Sequence, residues 1–518
     1  MFKQLDGKSV KSLVKTRIKP EPKQLSILHI SDLHRGSAGY VSNQALLNSL
    51  QNDLERYSTG KKPIKKPNLI VVSGDLVQGL TEKESLGNIK QQYIEANNLL
   101  SLLATLFLSG DKNKVIIVPG NHDVCWYYSR KSMKNVQLAK NGTNEKRKLV
   151  RELVEENSNI RWSWDSCEFF RVDNPVVYQK AFKPFSDFYG NFYDRTRNYS
   201  LDPSKQFDIF DYPDLNTTVA TYNSCYTNDN CNSIGRIHPD CISGSIHQLM
   251  SPRYQGRFLI AVWHHYVRGL PTKPDFLDSR CLRNLIEYGF SIGFHGHQHA
   301  AGVVEEHLNL LTGAKSYFVG AGTLCGGKNE LPVGIHRQYN IVQINQTSME
   351  ATIHIREMKE SPFELPIWGA AAMGVDNISK VDVTLQKRDV RIKRENEMDP
   401  QFKQIIQAEK HIGSREYREA LLILDGLGDE NEFVRRFKIE CYLQLGDNHG
   451  LAKLCFPPKN DADILICLDA LWHEDMMTEI NVVLSDNAVI KSTNKDIQQA
   501  IIKYKKKLQL RRRRSGKN

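Results

Sequence analysis

The sequence predicts an α/β core followed by an all-α region, and three observations carry that expectation. Five short apolar runs, Leu25 to Ile30, Leu69 to Val72, Val115 to Val118, Phe258 to Trp263 and Phe290 to Phe294, have strand length, are mostly rich in Ile and Val, and end in polar or small residues. Between the second and third, Glu84 to Leu108 carries apolar residues near helical spacing, and Asp278 to Tyr288 repeats the pattern before the fifth. Strands alternating with helices suggest an α/β core. Beyond it, Gln386 to Asp399 hold nine charges in fourteen positions, and Asp399-Pro400 then places a proline in the first turn of a helix.

Taken in order, the chain divides into a basic arm over 1–24, a core over 25–385, a charged linker over 386–399, a helical domain over 400–502 and a basic tail over 503–518. Within the core, 126–216 changes character and is expected to be an inserted cap. There the charged helical stretch Asn144 to Glu156 gives way to Phe182, Phe185, Phe188, Tyr189, Phe192 and Tyr193. Their three- and four-residue spacing puts the rings on one helical face, expected to pack on the core rather than to serve as a substrate platform.

In the helical domain Gly413, Tyr417 and Ala420 are echoed by Gly446 and Ala452, the two glycines lying 33 residues apart. That period resembles tetratricopeptide repeats, although most of their aromatic and proline positions are missing and a third copy around Leu468 to Leu484 is weak. Solenoid-like hairpins and an ordinary helical bundle both remain open. Either offers a surface for a protein partner.

Composition narrows the class. With 518 residues, 40% hydrophobic and 25% charged, the chain has the make-up of a folded multidomain protein. It holds no run of eighteen apolar residues, and its basic first 24 residues lack an apolar stretch behind them, so neither a membrane span nor a secretory signal is expected. Ten cysteines without a C-x-x-C pair are expected to be free thiols in a reducing cytosol, with Cys225 and Cys231 the pair to watch. The net charge of +11 is misleading, because Lys503 to Lys517 alone supplies nine basic residues and the first 24 residues supply a net +5, leaving 25–502 at −3. Any pull on polyanions must therefore come from the ends or a local patch. The basic tail could contact nucleic acid or act as a nuclear address in a eukaryote, and is otherwise a solvated end of a cytoplasmic protein.

The chemistry sits at strand ends. Asp32-Leu33-His34 closes the first run, Gly74-Asp75 the second and Gly120-Asn121-His122-Asp123 the third, with His264-His265 and Gly296-His297-Gln298-His299 after the last two. Ligands in open α/β sheets gather beyond the carboxyl ends of strands, so five loops can bring oxygen and imidazole donors to one point. Each fragment alone is weak, but the five in this order resemble the calcineurin-like metallophosphoesterase family over about residues 25–357.

The resemblance implies a layered fold of sheets flanked by helices and a metal-dependent phosphoesterase acting through a metal-activated hydroxide. It further implies two divalent ions: Asp32, His34 and His299 on one, Asn121, His264 and His297 on the other, and Asp75 bridging. Mixed carboxylate, imidazole and amide donors suit manganese first, with iron, zinc or nickel as options. His264 is preferred over His265 as the ligand. His122, oriented by Asp123, resembles the family's non-ligand catalytic histidine. Arg35 is left out of the catalytic set.

Subfamily signals point away from two branches. Protein phosphatases carry G-D-x-V-D-R-G and G-N-H-E, whereas this chain reads Gly74-Asp75-Leu76-Val77-Gln78-Gly79 and ends G-N-H-D; purple acid phosphatases place a tyrosine where Gln78 stands. The expected substrate is a phosphodiester in a nucleotide or nucleic acid. The alternatives are a monoesterase on a small metabolite or phosphoprotein, and a metal-bound scaffold whose helical domain recruits a partner.

Overall fold

Two mixed sheets face one another in the computed structural model, which describes residues 24–36, 41–59, 63–80, 86–138, 143–153, 155, 158–269, 275–309, 314–359, 366–373, 377–386, 400–428, 432–490, 492 and 494–515. The basic arm (apart from Gln24), the charged linker (apart from Gln386) and residues 516–518 of the basic tail lie outside the described residues.

In the first sheet Gln24–Ile30 pairs in parallel with Leu69–Val72, which pairs in parallel with Val115–Ile117. On its other side Gln24–Ile30 runs antiparallel to Gln338–Asn345, followed by Glu350–Lys359 and, on that strand, both Ile367–Ala370 and Lys380–Thr384. The second sheet runs Phe207–Tyr212, Thr217–Tyr222, Phe258–Val262, Ile292–His295, Ala314–Gly320, Gly302–Asn309, its four inner strands parallel. Leu69–Val72, Phe258–Val262 and Ile292 to Phe294 are buried along their whole length and read as continuous apolar runs.

Alternation across the pleat decides what each face meets. His29 meets Phe294 of the second sheet with ring centroids 4.8 Å apart, and Asn340 Nδ2 donates to the Gly320 carbonyl at 2.9 Å. On the opposite face, Tyr339 donates to Asp53 on the helix Asn43–Thr59 at 2.5 Å, and Arg356 grips the same buried carboxylate. Helices Pro239–Leu249 and Ser279–Glu287 close the outside of the second sheet, sharing a core with Trp263, Phe290 and Phe318. Two sheets flanked by helices are the expected layered architecture.

The stretch 126–216, expected as one cap, divides. Helix Lys183–Phe192 packs on Leu86–Leu108, where Phe188 stacks on Tyr93 at 5.2 Å, and Tyr193 donates to the Val115 carbonyl at 2.6 Å. The aromatic face is thus core, because its rings find the apolar side of a long helix. Phe207–Tyr212 is an edge strand of the second sheet, paired antiparallel with Thr217–Tyr222. What stands apart is a small antiparallel sheet, Met133–Asn135, Glu168–Val172 and Ile160–Ser163, with helix Thr143–Leu153 and a core of Leu149, Ile160 and Phe169.

The C-terminal region is all-helical and starts at Pro400. Three hairpins follow: Pro400–Gly413 with Tyr417–Asp425, Glu432–Leu445 with Asn448–Cys455, and Asp461–His473 with Met477–Ser485. Each reverses through a left-handed residue, Arg415, Gly446 or Asp475. The counterpart of Gly446 is therefore Arg415, not Gly413, and the weak third copy is a full hairpin whose turn Asp475 supplies without glycine. The basic run is not a loose tail: it continues the helix Lys495–Ser515, which buries Ile497, Ile501, Tyr504 and Leu508 against the last hairpin. The region meets the core through Arg436, whose guanidinium reaches Glu306 at 3.0 Å, and through an Arg283–Glu409 pair. No helix among the described residues is long and apolar enough to cross a membrane. All ten cysteines are free, and most are buried.

Candidate active site

Parallel strands end at the same edge, so the loops after Ile30, Val72, Ile117, Val262 and His295 meet there. The chain turns sharply at each loop. Asp32, His34, Asp75, His297 and His299 all take positive φ, between 43° and 76°, a conformation that costs non-glycine residues energy and that here turns their side chains onto one point. Two glycines make the approach possible. A Cβ on Gly74, itself at φ 101°, would stand 2.5 Å from His264 Nδ1, and one on Gly120 would stand 2.1 Å from Asp75 Oδ1.

Asp32, His34, Asp75 and His299 bring their donor atoms within 4.8 Å of one another. Beside them, His264 Nε2 lies 3.3 Å from Asp75 Oδ2 and 2.9 Å from Asn121 Oδ1, and His297 Nδ1 lies 3.0 Å from the same amide oxygen. The structure therefore brings all seven expected ligands together, with Asp75 between the two groups. His264 is the histidine that reaches in; His265 turns its Nδ1 to Ser224 at 2.9 Å, away from the donors.

Tautomers follow from the backbone. His264 Nδ1 faces the Ser73 carbonyl at 2.8 Å and His299 Nδ1 faces the Glu330 carbonyl, so each must donate there and leave a lone pair on Nε2. Those lone pairs face further acceptors: His299 Nε2 is 3.1 Å from His34 Nε2 and 3.2 Å from Asp32 Oδ1. Acceptors converging with no hydrogen between them fit a cation. Protons are what fill that place otherwise. Burial lowers the basicity of His264 and His299, but Asp75 and Asp32 respectively outweigh it and hold both up at about 9. Burial would raise the two aspartates, yet His299 and His264 outweigh it and hold Asp32 and Asp75 below the usual carboxylate range. His34, buried and beside His122, is pushed down to about 3.

His122 stands apart from the donors yet beside them, its ring edge-on to His34 at 4.7 Å. Its Nδ1 donates to the Gln78 carbonyl at 2.8 Å, and its backbone N–H donates to Asp75 Oδ1 at 2.8 Å. Asp123, expected to orient it, makes none of these bonds. Its carboxylate accepts from the N–H groups of Gly120 at 2.8 Å and Leu76 at 3.2 Å and from the Tyr93 hydroxyl at 3.0 Å, tying the third loop to the second. Burial first, then the nearby Asp75, pushes its carboxyl up to about 7. Arg35 is buried and bonded to the Val41 carbonyl at 2.9 Å, in keeping with its exclusion from the catalytic set.

Sequence reasoning missed the carbonyls of Ser73, Gln78 and Glu330, which choose the tautomers, and Asp275, whose carboxylate lies 3.7 Å from His297 Nε2. Any residue type can supply a carbonyl, so no sequence signal marks the first three. Asp275 stands ten residues after His265, outside the five motifs.

The family model for calcineurin-like phosphoesterases matches residues 25–301, which carry all five loops. The chain belongs to that family. Metal-dependent phosphoester hydrolysis is thus the general chemistry its core supports. No curated protein matches the chain. Among solved structures, that of Vps29 from Chaetomium thermophilum aligns with 70% of this chain and 98% of its own at 9% identity and a TM-score of 0.24, too slight a likeness to carry an argument.

Proposed function

We propose that this calcineurin-like phosphoesterase hydrolyses phosphodiester bonds in nucleotides or nucleic acid. In this reading Asp32, His34 and His299 hold one divalent ion, Asn121, His264 and His297 a second, and Asp75 both, with manganese the first choice over iron, zinc and nickel. When bound, such a pair neutralises phosphate oxygens and lowers the pKa of water toward about 7.

The single observation behind the reading is the convergence of seven lone-pair donors around a histidine that is not one of them. His122 keeps its Nδ1 proton on the Gln78 carbonyl, which leaves Nε2 for a bound phosphate. In the imidazolium form the ring carries a second proton on Nε2, which hydrogen-bonds a phosphoryl oxygen and then passes to the departing oxygen, leaving neutral imidazole with its Nδ1–H still on Gln78. Asp123 keeps that loop in register by holding Gly120 and Leu76.

Charge favours a diester. A monoester brings roughly one more negative charge near neutral pH, since its second ionisation lies near 6. Arg35 is the sole Lys or Arg in the five loop motifs and their flanking residues, and its guanidinium is turned to Val41 and Cys325. The helical hairpins are proposed as the surface for a protein partner.

A panel of bis-p-nitrophenyl phosphate, p-nitrophenyl phosphate, cyclic nucleotides, DNA and RNA with Mn, Zn, Ni or Mg tests the reading. The diester should win in kcat/KM, and His122→Ala should retain metal while losing about 10² to 10⁴ in rate, partly restored on esters with good leaving groups. A faster monoester refutes the diester assignment, and metal loss in His122→Ala refutes its role.

A further inference from the structure

We propose that the outward face of the C-terminal helix Lys495–Ser515 is a docking ridge for the sugar-phosphate backbone of nucleic acid. The inference deepens the reading of a nucleic-acid substrate and rests on it. Its starting point is a division of labour around the helix. Ile497, Ala500, Ile501, Tyr504 and Leu508 point inward, and Tyr504 donates to Asp469 at 2.9 Å. Arg511 is tied to Asp475 at 2.8 Å, and Lys507 lies over the Trp472 ring at 4.6 Å. The helix is therefore clamped to the last hairpin at several points, and Lys503 to Lys507 lie on that docked stretch.

What faces out is cationic. Lys503, Lys505 and Lys506 are exposed, and among the described residues no carboxylate pairs with them. Arg512, Arg513 and Arg514 follow on the same helical backbone. At about 1.5 Å per residue, Lys503 to Arg514 spans roughly 16 Å. A duplex carries one charge per roughly 1.7 Å of its axis, so such a ridge faces several phosphates together. The body of the chain over 25–502 is net negative at −3, which leaves this ridge as a local patch of opposite sign.

A lipid surface fits less well. An interfacial helix must bury an apolar face in the bilayer, and here that face is spent on the protein; only Ile502 and Leu510 remain exposed on the outer side. The ridge also lies at the end of the array packed on Asp461–His473 and Met477–Ser485, whereas contact with the core runs through Glu432–Leu445 and its neighbours. It serves long polymers that reach both the ridge and the core, and leaves short substrates unaffected.

The test uses the full-length protein in chelator, so that binding is read without hydrolysis. Wild type and the triple variant Lys503→Gln, Lys505→Gln, Lys506→Gln are titrated against 40-mer single-stranded and duplex DNA, 40-mer RNA, phosphatidylserine vesicles and polyglutamate over 50 to 300 mM salt. Losing three phosphate contacts should make the slope of log K against log salt shallower by about 2 to 3, and weaken binding about 10²-fold at 0.1 M. Helicity and turnover of a small diester should not change. Unchanged affinity and slope on nucleic acid overturn the ridge, as do losses confined to vesicles or polyglutamate. Hydrolysis measured separately with metal reports on the active-site reading: absent diester hydrolysis with intact ridge-dependent binding refutes that reading alone.

Discussion

Asp123 separates two accounts of the third loop, and a pair of substitutions decides between them. Its carboxylate satisfies three buried donors, the N–H groups of Gly120 and Leu76 and the Tyr93 hydroxyl. Asp123→Ala orphans all three at roughly 1–3 kcal/mol each, offset in part by removal of a buried charge, so a loss of about 3–5 kcal/mol is expected. Asp123→Asn behaves differently. Its amide oxygen can keep both N–H groups while its NH₂ donates to the Tyr93 oxygen, so fold, metal content and turnover should stay within a few-fold of wild type.

The pH dependence sharpens the contrast. Because burial and Asp75 lift this carboxyl to about 7 in the metal-free fold, against about 3.9 in the unfolded chain, folding takes up a proton between those values. Raising the pH from 4 through 7 therefore removes stability from the wild type, and Asp123→Asn should lack this component. Denaturant titrations in chelator, followed by the near-ultraviolet signal of buried Trp263, together with turnover at saturating metal, make the comparison. A 10²-fold or larger loss of kcat in Asp123→Asn with unchanged stability would instead make Asp123 the orienting partner of His122 and refute the structural account.

Three further outcomes follow from the same geometry. Asp75→Ala should lose most bound metal and nearly all turnover while the C-terminal helices keep their far-ultraviolet signal; two metals per chain in the variant would refute the bridging role. Metal uptake at pH 7 should release protons, because His264 and His299 are held at about 9 in the metal-free site, so affinity should rise with pH and calorimetric heats should vary with buffer ionisation; buffer-independent heats would contradict it. Gly120→Ala should displace Asp75, whose Oδ1 lies 2.1 Å from the added methyl, and weaken metal binding at least 10-fold; wild-type affinity would mean the loop yields freely.

Much of the site was legible because its chemistry is local to each loop. Asp32-Leu33-His34 and Gly296-His297-Gln298-His299 each place two donors within two residues of one another, and the apolar runs before them mark the strands that carry them. Asp123 does not bond the His122 side chain as first read, for a physical reason: adjacency in sequence to His122 says nothing of where two side chains point. The 33-residue glycine period misled in the same way, since the left-handed turn can be taken by Arg415 or Asp475 as well as by Gly446.

The sequence by itself determined the α/β alternation, the seven donor residues and the all-helical C-terminal region, since these rest on hydrophobic periodicity and on side-chain chemistry. Tertiary structure alone decided which ring of His264-His265 faces the donors, which carbonyls fix the tautomers, what Asp123 holds and that the basic run is a docked helix. Each of these depends on contacts between segments up to 191 residues apart, such as His264 with the Ser73 carbonyl, and on packing that spends the inner face of Lys495–Ser515 and leaves its charges outside. Periodicity tells which face of an element is apolar; only the folded chain tells what that face meets.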